Sequence, residues 1–249
     1  MKKIFLFCVF LPYLISCNNS IDSEGKEISP TDTVKGTEKE GWIRSYYPGG
    51  KVKKTEVYYK KGVRDGMARS FYKDGSVCVE GMYENGMREG HHKWFYEDTK
   101  TLYEDIPFIH DRKEGIRKKY FKNGKILSEA PFRDDFPGLG LKEYDKEGKL
   151  IEHPEIQFKC VNKINQGKGI ILEMSMSDGN KKVEFFSGAL KDGFMHSQLI
   201  SINTEKGVGR LNYKVSSMNF FSQPINVIAK VKTKYLNYFV TEAVYTPGK

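Results

Sequence analysis

The sequence predicts an all-β protein in which an array of β-hairpin repeats is followed by a β-sandwich. The first observation is a unit of twenty-odd residues that recurs along the chain, beginning at Gly41, Gly66, Gly90 and Gly115, with a degenerate fifth copy from Gly138. A fixed period of this size indicates stacked supersecondary units that cannot bury their apolar faces alone. The second observation is that the period ends near Pro154, after which short segments alternate between apolar and polar residues.

The chain begins with a pattern that resembles the signal of bacterial lipoproteins. Lys2 and Lys3 precede an apolar run over residues 4–15, which is too short to span a bilayer. The run ends in Leu14-Ile15-Ser16-Cys17, which resembles a lipobox. The resemblance implies that residues 1–16 form a signal peptide and that Cys17 carries acyl chains such as palmitate, which anchor the protein to a membrane of the bacterial cell envelope. Asn18 favours the outer membrane over the inner one, and an ordinary secretory signal with an incidental cysteine is the alternative.

Residues 17–40 predict a disordered tether, because they are polar and contain almost no large apolar side chain. The formal net charge of the 249-residue chain is +9, and the excess lies late, with thirteen basic against seven acidic residues from Pro154 onward. Such an excess fits either an attraction to an anionic surface or an ordinary solvated face. We expect no nucleic-acid partner for an exported protein.

Within residues 41–153, each unit of the predicted array has two strands joined by a turn. The predicted turns within units are Pro48-Gly49-Gly50, Asp74-Gly75, Asp98-Thr99 and Asn123-Gly124. The Asp-Gly and Asn-Gly pairs favour two-residue type I′ turns, in which both central residues have positive φ. The segments expected to return the chain to the next unit are Lys61-Gly62, Asn85-Gly86 and Asp111-Arg112-Lys113.

A basic residue at the fourth position of each unit and a glutamate in its second strand predict the register of the hairpins. Folding each unit about its turn gives the pairs Arg44–Glu56, Arg69–Glu80, Lys93–Glu104 and Lys118–Glu129. Directly opposed opposite charges stabilise an antiparallel pair. Because a glutamate faces every basic residue, the basic column is largely neutralised and does not indicate a groove for anions or sugars.

Two aromatic columns are the candidate contact residues for a binding partner. One column must contribute mainly to the core, and the sequence does not decide which. The columns are Tyr46/Phe71/Phe95/Tyr120 and Tyr47/Tyr72/Tyr96/Phe121.

The pattern Gly-x-x-x-x-aromatic-aromatic, a turn with glycine, Glu, an aromatic residue and then Asn-Gly or Lys-Gly resembles the MORN-repeat variant. This form occurs in the YwqK-like group that is often labelled as antitoxins. The likeness covers Gly41 to about Glu152 and departs from the pattern at Thr99 and around Gly138-Leu139-Gly140. It implies a β-repeat fold, whereas its relatives include scaffolds, membrane-associated proteins and immunity proteins.

Residues 154–249 predict the β-sandwich, with an immunoglobulin-like form as one possibility and a cap on the repeat sheet as the alternative. The alternating segments start at Ile156, Ile170, Val183, Leu211, Val227 and Tyr238. No Cys-Trp-Cys spacing of a true immunoglobulin domain is present. Cys78 and Cys160 either form a disulfide in an oxidising compartment or remain two buried thiols.

The sequence carries no motif for an enzyme, a metal site or a cofactor. His91 and His92 are adjacent, so a strand would point them to opposite faces, where they cannot readily share one ion. We therefore expect a lipid-anchored binding or scaffolding protein of the envelope that recognises a protein or a glycan through its repeat sheet. The alternative is an immunity or antitoxin-like protein of the YwqK type that neutralises a toxin.

Overall fold

The computed structural model describes residues 20–21, 27–28, 39–167, 169–214 and 223–247. Within these ranges the chain is nearly all β, which confirms the predicted fold class, and its one helical turn is a 3-10 helix at Ile164–Gln166. No helix in the described part is long and apolar enough to cross a membrane. The strands are β1 Ser20–Ile21, β2 Glu27–Ile28, β3 Gly41–Tyr46, β4 Lys53–Lys60, β5 Val63–Phe71, β6 Val77–Glu84, β7 Met87–Phe95, β8 Leu102–Ile109, β9 Arg112–Lys113, β10 Gly115–Tyr120, β11 Ile126–Arg133, β12 Phe136–Pro137, β13 Lys142–Glu143, β14 Ile156–Lys163, β15 Gly169–Met176, β16 Val183–Ser187, β17 Ile200–Ile202, β18 Thr204–Glu205, β19 Val208–Tyr213, β20 Ile225–Lys232 and β21 Tyr238–Tyr245.

The predicted signal peptide and Cys17 lie outside the described residues. Within the segment predicted to be a tether, β1 pairs with β2 in antiparallel register. The lipid anchor and the tether stay predictions.

The repeats form one antiparallel sheet whose strand order follows the chain. The order is β12-β11-β10-β8-β7-β6-β5-β4-β3, with β9 beside β8 and β13 beside β11. The connections between units are shorter than the turns within units, so the array is a continuous meander. The array sheet ends at β13, and β14 belongs to a different sheet.

The type I′ turns lie between the units, so their predicted place within the units is wrong. In the second and fourth units only the last turn residue has positive φ, 86° at Gly75 and 80° at Gly124. Gly75 N–H donates to Tyr72 O at 2.9 Å, as in a three-residue loop that joins a type I turn to a bulge. The Asp74 carboxylate accepts from Ser76 N–H at 2.9 Å and holds that loop. Both central residues have positive φ in the turns between units, which are Lys61-Gly62, Asn85-Gly86, His110-Asp111 and Asp134-Asp135.

The third unit has a longer turn, which corrects one predicted pair. Lys93 lies opposite Asp105, not opposite Glu104. The physical reason is an additional turn residue, Lys100, which adopts φ 59° and shifts the second strand by one position. The other three predicted pairs, Arg44–Glu56, Arg69–Glu80 and Lys118–Glu129, are confirmed.

The C-terminal strands form two four-stranded antiparallel sheets, ordered β14-β15-β19-β18 and β17-β16-β20-β21. Alternate residues of both sheets share one apolar core, as the sandwich prediction requires. The fully buried members of this core include Leu172 and Met174 from one sheet and Phe185, Val227 and Ala229 from the other. The immunoglobulin-like form stays a prediction.

The turn between β20 and β21 packs against the last strands of the array. Glu143, which is buried, accepts hydrogen bonds at 2.6 Å from the Thr233 hydroxyl and from the Asn237 amide. The Lys119 amine donates to Tyr235 O at 3.0 Å. Burial, followed by the nearby Arg117 guanidinium, lowers the pKa of Lys119 to about 8. A charged cluster therefore joins the two parts of the chain and covers one face of the array at its far end.

Cys78 and Cys160 are both free thiols in the structure. Cys78 is buried, whereas Cys160 is exposed on the edge strand β14. The expectation of two buried thiols is therefore wrong for Cys160, because an edge strand has a neighbour on one side only.

Candidate functional site

A ladder of alternating charges crosses the whole array sheet. Each basic residue of the ladder lies opposite an acidic residue in the neighbouring strand, within units and also between them. The ladder runs Arg44–Glu56–Arg69–Glu80–Lys93–Asp105–Lys118–Glu129–Lys142. Every internal member has a charge of opposite sign on both sides, so this face carries no concentrated field of one sign.

Glu56 shows how closely the ladder charges are held. Its side chain is only 8% exposed, and its oxygens lie 3.5 Å from Arg44 Nε, 2.7 Å from Lys53 Nζ and 3.4 Å from Arg69 Nη1. Burial by itself raises the pKa of this carboxyl, but the three cations, with Lys53 foremost, lower the pKa overall. A nearly buried carboxylate is therefore kept ionised by its neighbours.

An exposed apolar row lies on the same face, beside the charge ladder. Residues two apart on a strand share a face, so the residue two before each basic ladder member lies next to it. In register with its partner strands this row, which is apolar except for His91, consists of Trp42↔Tyr58, Met67↔Met82, His91↔Pro107 and Ile116↔Pro131. Trp42, Met82 and Ile116 are 40%, 43% and 44% exposed. Large apolar side chains that stay this exposed in a line mark a candidate contact surface.

The apolar row was not among the residues predicted from the sequence, although its signal was present. The first residue after each repeat glycine is Trp42, Met67, His91 or Ile116. These residues are chemically diverse, so they do not stand out as an aromatic column does. Only the register between strands brings them into one line.

The first predicted aromatic column is partly buried. Phe71 is buried, and Lys53 Nζ lies 4.8 Å from the centre of its ring. Tyr46, Phe95 and Tyr120 are half-buried. This column packs along the turn edge of the sheet, and its part in binding stays a prediction.

The second predicted column links each repeat to the next. The hydroxyls of Tyr47, Tyr72 and Tyr96 donate to backbone carbonyls one repeat further along the chain. These acceptors are Phe71 O, Phe95 O and Tyr120 O, at 2.7, 2.6 and 2.8 Å. Phe121 has no hydroxyl, and its ring instead meets the edge of Tyr235 at 6.2 Å. The hydroxyls of this column therefore hold the array together, while any contact of the rings with a partner stays a prediction.

A basic–acidic–glycine triplet opens each repeat and fixes the opposite edge of the sheet. The basic residue lies over an aromatic ring, as Arg88 does over Phe108 at 4.0 Å from the ring centre. The same contact recurs at Lys39 over Tyr59, Arg64 over Tyr83 and Lys113 over Phe132, at 5.2, 5.2 and 5.3 Å.

The acidic residue of each triplet accepts a hydrogen bond from the first residue of the next type I′ turn. The backbone N–H groups of Lys61, Asn85, His110 and Asp134 donate to Glu40, Asp65, Glu89 and Glu114, at 2.9, 3.5, 3.0 and 2.9 Å. Both charged residues of the triplet therefore have structural partners, and neither partner was predicted from the sequence.

His91 and His92 lie on opposite faces, as predicted. His92 is buried, with its Nε2 2.8 Å from Met82 O. The pKa of this imidazole is lowered, and burial is the main cause. A side chain at Gly81 would overlap the His92 ring, since a Cβ there would lie 2.3 Å from His92 Nδ1. His91 is exposed, with Nδ1 2.8 Å from Asp105 Oδ1. The described residues hold no group of three His, Cys, Asp or Glu side chains arranged for a metal ion.

The comparisons with known proteins fit this repeating geometry. No curated protein matches the chain. The family model described as the MORN repeat variant matches it at two places, residues 64–85 and 113–134. Each match begins at the basic residue of a triplet and ends at the turn that the same triplet holds, so the chain contains two units of the MORN repeat variant, and residues 39–61 and 88–110 repeat their contacts.

Proposed function

We propose that this protein is a binding or scaffolding protein of the bacterial envelope that recognises a protein or glycan through the open face of its repeat sheet. The observation that carries the proposal is the exposed apolar row beside a charge ladder that is neutralised internally. Apolar and aromatic side chains contribute most of the contact energy at recognition surfaces. Because the ladder charges have partners within the sheet, binding should depend only weakly on salt.

The proposal includes a lipid anchor at Cys17, which would hold the array near a membrane. The support for the anchor is the lipobox-like sequence at the end of the apolar run. Among the described residues, the buried contacts of the C-terminal turn, such as Lys119 with Tyr235, lie on the face opposite the apolar row. Beyond Pro131, at the far end of the row, Arg133 donates to Asp192 at 3.0 Å. A partner can therefore approach the row between Trp42 and Ile116.

The experiment is capture of a partner from envelope extract by the purified protein. Replacing Met82 and Ile116 together with serine should abolish capture, because it removes two exposed members of the row. The matched control is Ile200→Ser, which changes a 70% exposed side chain on the C-terminal sheets and should capture normally. Circular dichroism checks that all variants fold.

Equal capture by the two variants would contradict the proposal. A captured toxin would instead favour the antitoxin-like alternative, in which the same row would cover a toxin surface. A glycan-dependent capture that is lost after glycosidase treatment would identify the partner as a glycan.

A further inference from the structure

The two ends of the array sheet differ. At the far end, β11 is flanked by β10 on one side and by β12 and β13 on the other, and the C-terminal turn covers one face. At the near end, β3 is hydrogen-bonded to β4 alone among the described strands, and the two-residue strand β1 lies near it without pairing. An edge strand with an unpaired side presents backbone N–H and C=O groups that can pair with another chain.

The charge ladder is also incomplete at this end. Arg69, inside the ladder, has Glu56 and Glu80 each at 3.4 Å, one on either side. Arg44, at the edge, has Glu56 at 3.5 Å as its one acidic partner in the described part of the chain, and its side chain is 45% exposed. The position where a second acidic residue would stand is beside β3.

The apolar row ends at the same edge, with Trp42. Its ring meets Tyr58 edge-on at 5.5 Å on the β4 side and is 40% exposed. Tryptophan and arginine are among the residue types that contribute most of the binding energy at protein interfaces. The edge of β3 therefore presents Trp42 and Arg44 next to backbone groups that no second described strand pairs.

We propose that β3 accepts an extended strand from a protein partner, and that this strand carries an acidic residue followed two positions later by an apolar one. The proposal deepens the proposed function and rests on it, since it names the partner class of the same sheet. The acid would lie opposite Arg44 and extend the charge ladder. The apolar residue would lie opposite Trp42 and extend the apolar row. The chain's own acidic strands follow this rule at Glu56/Tyr58, Glu80/Met82, Asp105/Pro107 and Glu129/Pro131.

A second copy of the chain fits the edge less well. Two β3 strands paired with Arg44 opposite Arg44 would bring like charges together. Pairing them with Ile43 at the centre would place each Arg44 opposite Trp42 and leave both guanidinium groups without a new carboxylate. Neither register completes the ladder, whereas an acidic strand does so.

The experiment measures binding of a fluorescein-labelled, end-capped peptide that copies Lys53–Lys60, the chain's own partner strand of β3. The peptide binds the purified protein, and a peptide with Glu56→Lys binds at least about tenfold more weakly, a change of about 1.4 kcal/mol. A peptide N-methylated at Glu56, whose backbone N–H would face β3 opposite Arg44, also binds more weakly. These comparisons use the unaltered protein, so they do not depend on the folding of a variant.

The Arg44→Glu protein tests the position of the site, because it should prefer the Glu56→Lys peptide over the native one. Equal affinities for the two peptides, or a preference that Arg44→Glu does not change, would overturn the proposal. So would a stable dimer in sedimentation analysis that dissociates with Arg44→Glu, or peptide binding that arises only after residues 22–38 are deleted. If the peptides fail while the Met82/Ile116 variant still loses partner capture, the edge proposal is wrong and the proposed function stands.

Discussion

The charge ladder makes a quantitative prediction about coupled substitutions at Arg69 and Glu80. Arg69→Glu reverses two neighbouring pairs, with Glu56 and with Glu80, and Glu80→Lys reverses two, with Arg69 and with Lys93. The double variant restores the central pair but leaves the two outer pairs reversed. If each pair were isolated, the double variant would recover wild-type stability, and if the sites were independent, its loss would equal the sum of the single losses.

The expected magnitude follows from the number of reversed pairs. A directly opposed pair contributes roughly 0.2–1 kcal/mol, and partial exposure of Arg69 and Glu80 places these pairs in the lower part of that range. Turning one attraction into a repulsion then costs about 0.5–1 kcal/mol, so each single variant should lose about 1–2 kcal/mol. The double variant should lose the same amount, since it also contains two reversed pairs.

The assay is urea unfolding of the three variants and the wild type, followed by circular dichroism at low and at high salt. The differences should shrink at high salt because the pairs are partly solvated. A matched control is Arg44→Glu, which reverses one pair and should lose about half as much as Arg69→Glu. A double variant that is as stable as the wild type, or one that loses the full sum, would refute the continuous ladder.

Three further predictions address the junction, the repeat contacts and the anchor. Lys119 has a pKa of about 8 in the folded chain, below its ordinary value of 10.5, so the unfolded chain binds more protons between these two pH values and the free energy of unfolding should rise with pH there. Urea unfolding should show a rise of roughly 1–2 kcal/mol between pH 8 and 9.5 that Lys119→Met lacks; parallel pH profiles would contradict this. Tyr96→Phe removes the hydrogen bond to Tyr120 O and should cost about 0.5–1.5 kcal/mol in the same assay, and an unchanged midpoint would show that this bond does not hold the repeats together. Cys17→Ser should abolish lipid labelling and release the protein from the membrane fraction, and unchanged partitioning would contradict the anchor.

Much of the array could be predicted from the sequence because its signals are local. Asp74-Gly75 and Asn123-Gly124 fixed the positions of two turns, and the charge pattern then fixed the register of their hairpins. The third turn was misjudged because Lys100 adopts positive φ, and lysine gives no sequence signal for that conformation. The turn types were exchanged because Asp-Gly suits both a type I′ turn and a three-residue loop.

The candidate site was harder to predict than the fold. The apolar row joins residues from separate strands, such as Trp42 and Ile116, and needs the register of every connection between units. The junction depends on contacts between distant parts of the chain, such as Lys119 with Tyr235. A single sequence carries no periodic signal for a contact of that kind, since it arises from how two separate sheets pack.

The tight turns between units determine how such an array can change in length over evolution. Inserting or deleting one strand would place like charges opposite each other along the face, because the ladder alternates from strand to strand. Inserting or deleting a whole repeat adds or removes two strands and keeps the alternation. At about 4.8 Å between strands, each such step changes the span of the sheet by roughly 10 Å. The distance that the protein bridges is therefore adjustable by gene duplication in fixed increments, without redesign of any contact inside the remaining repeats.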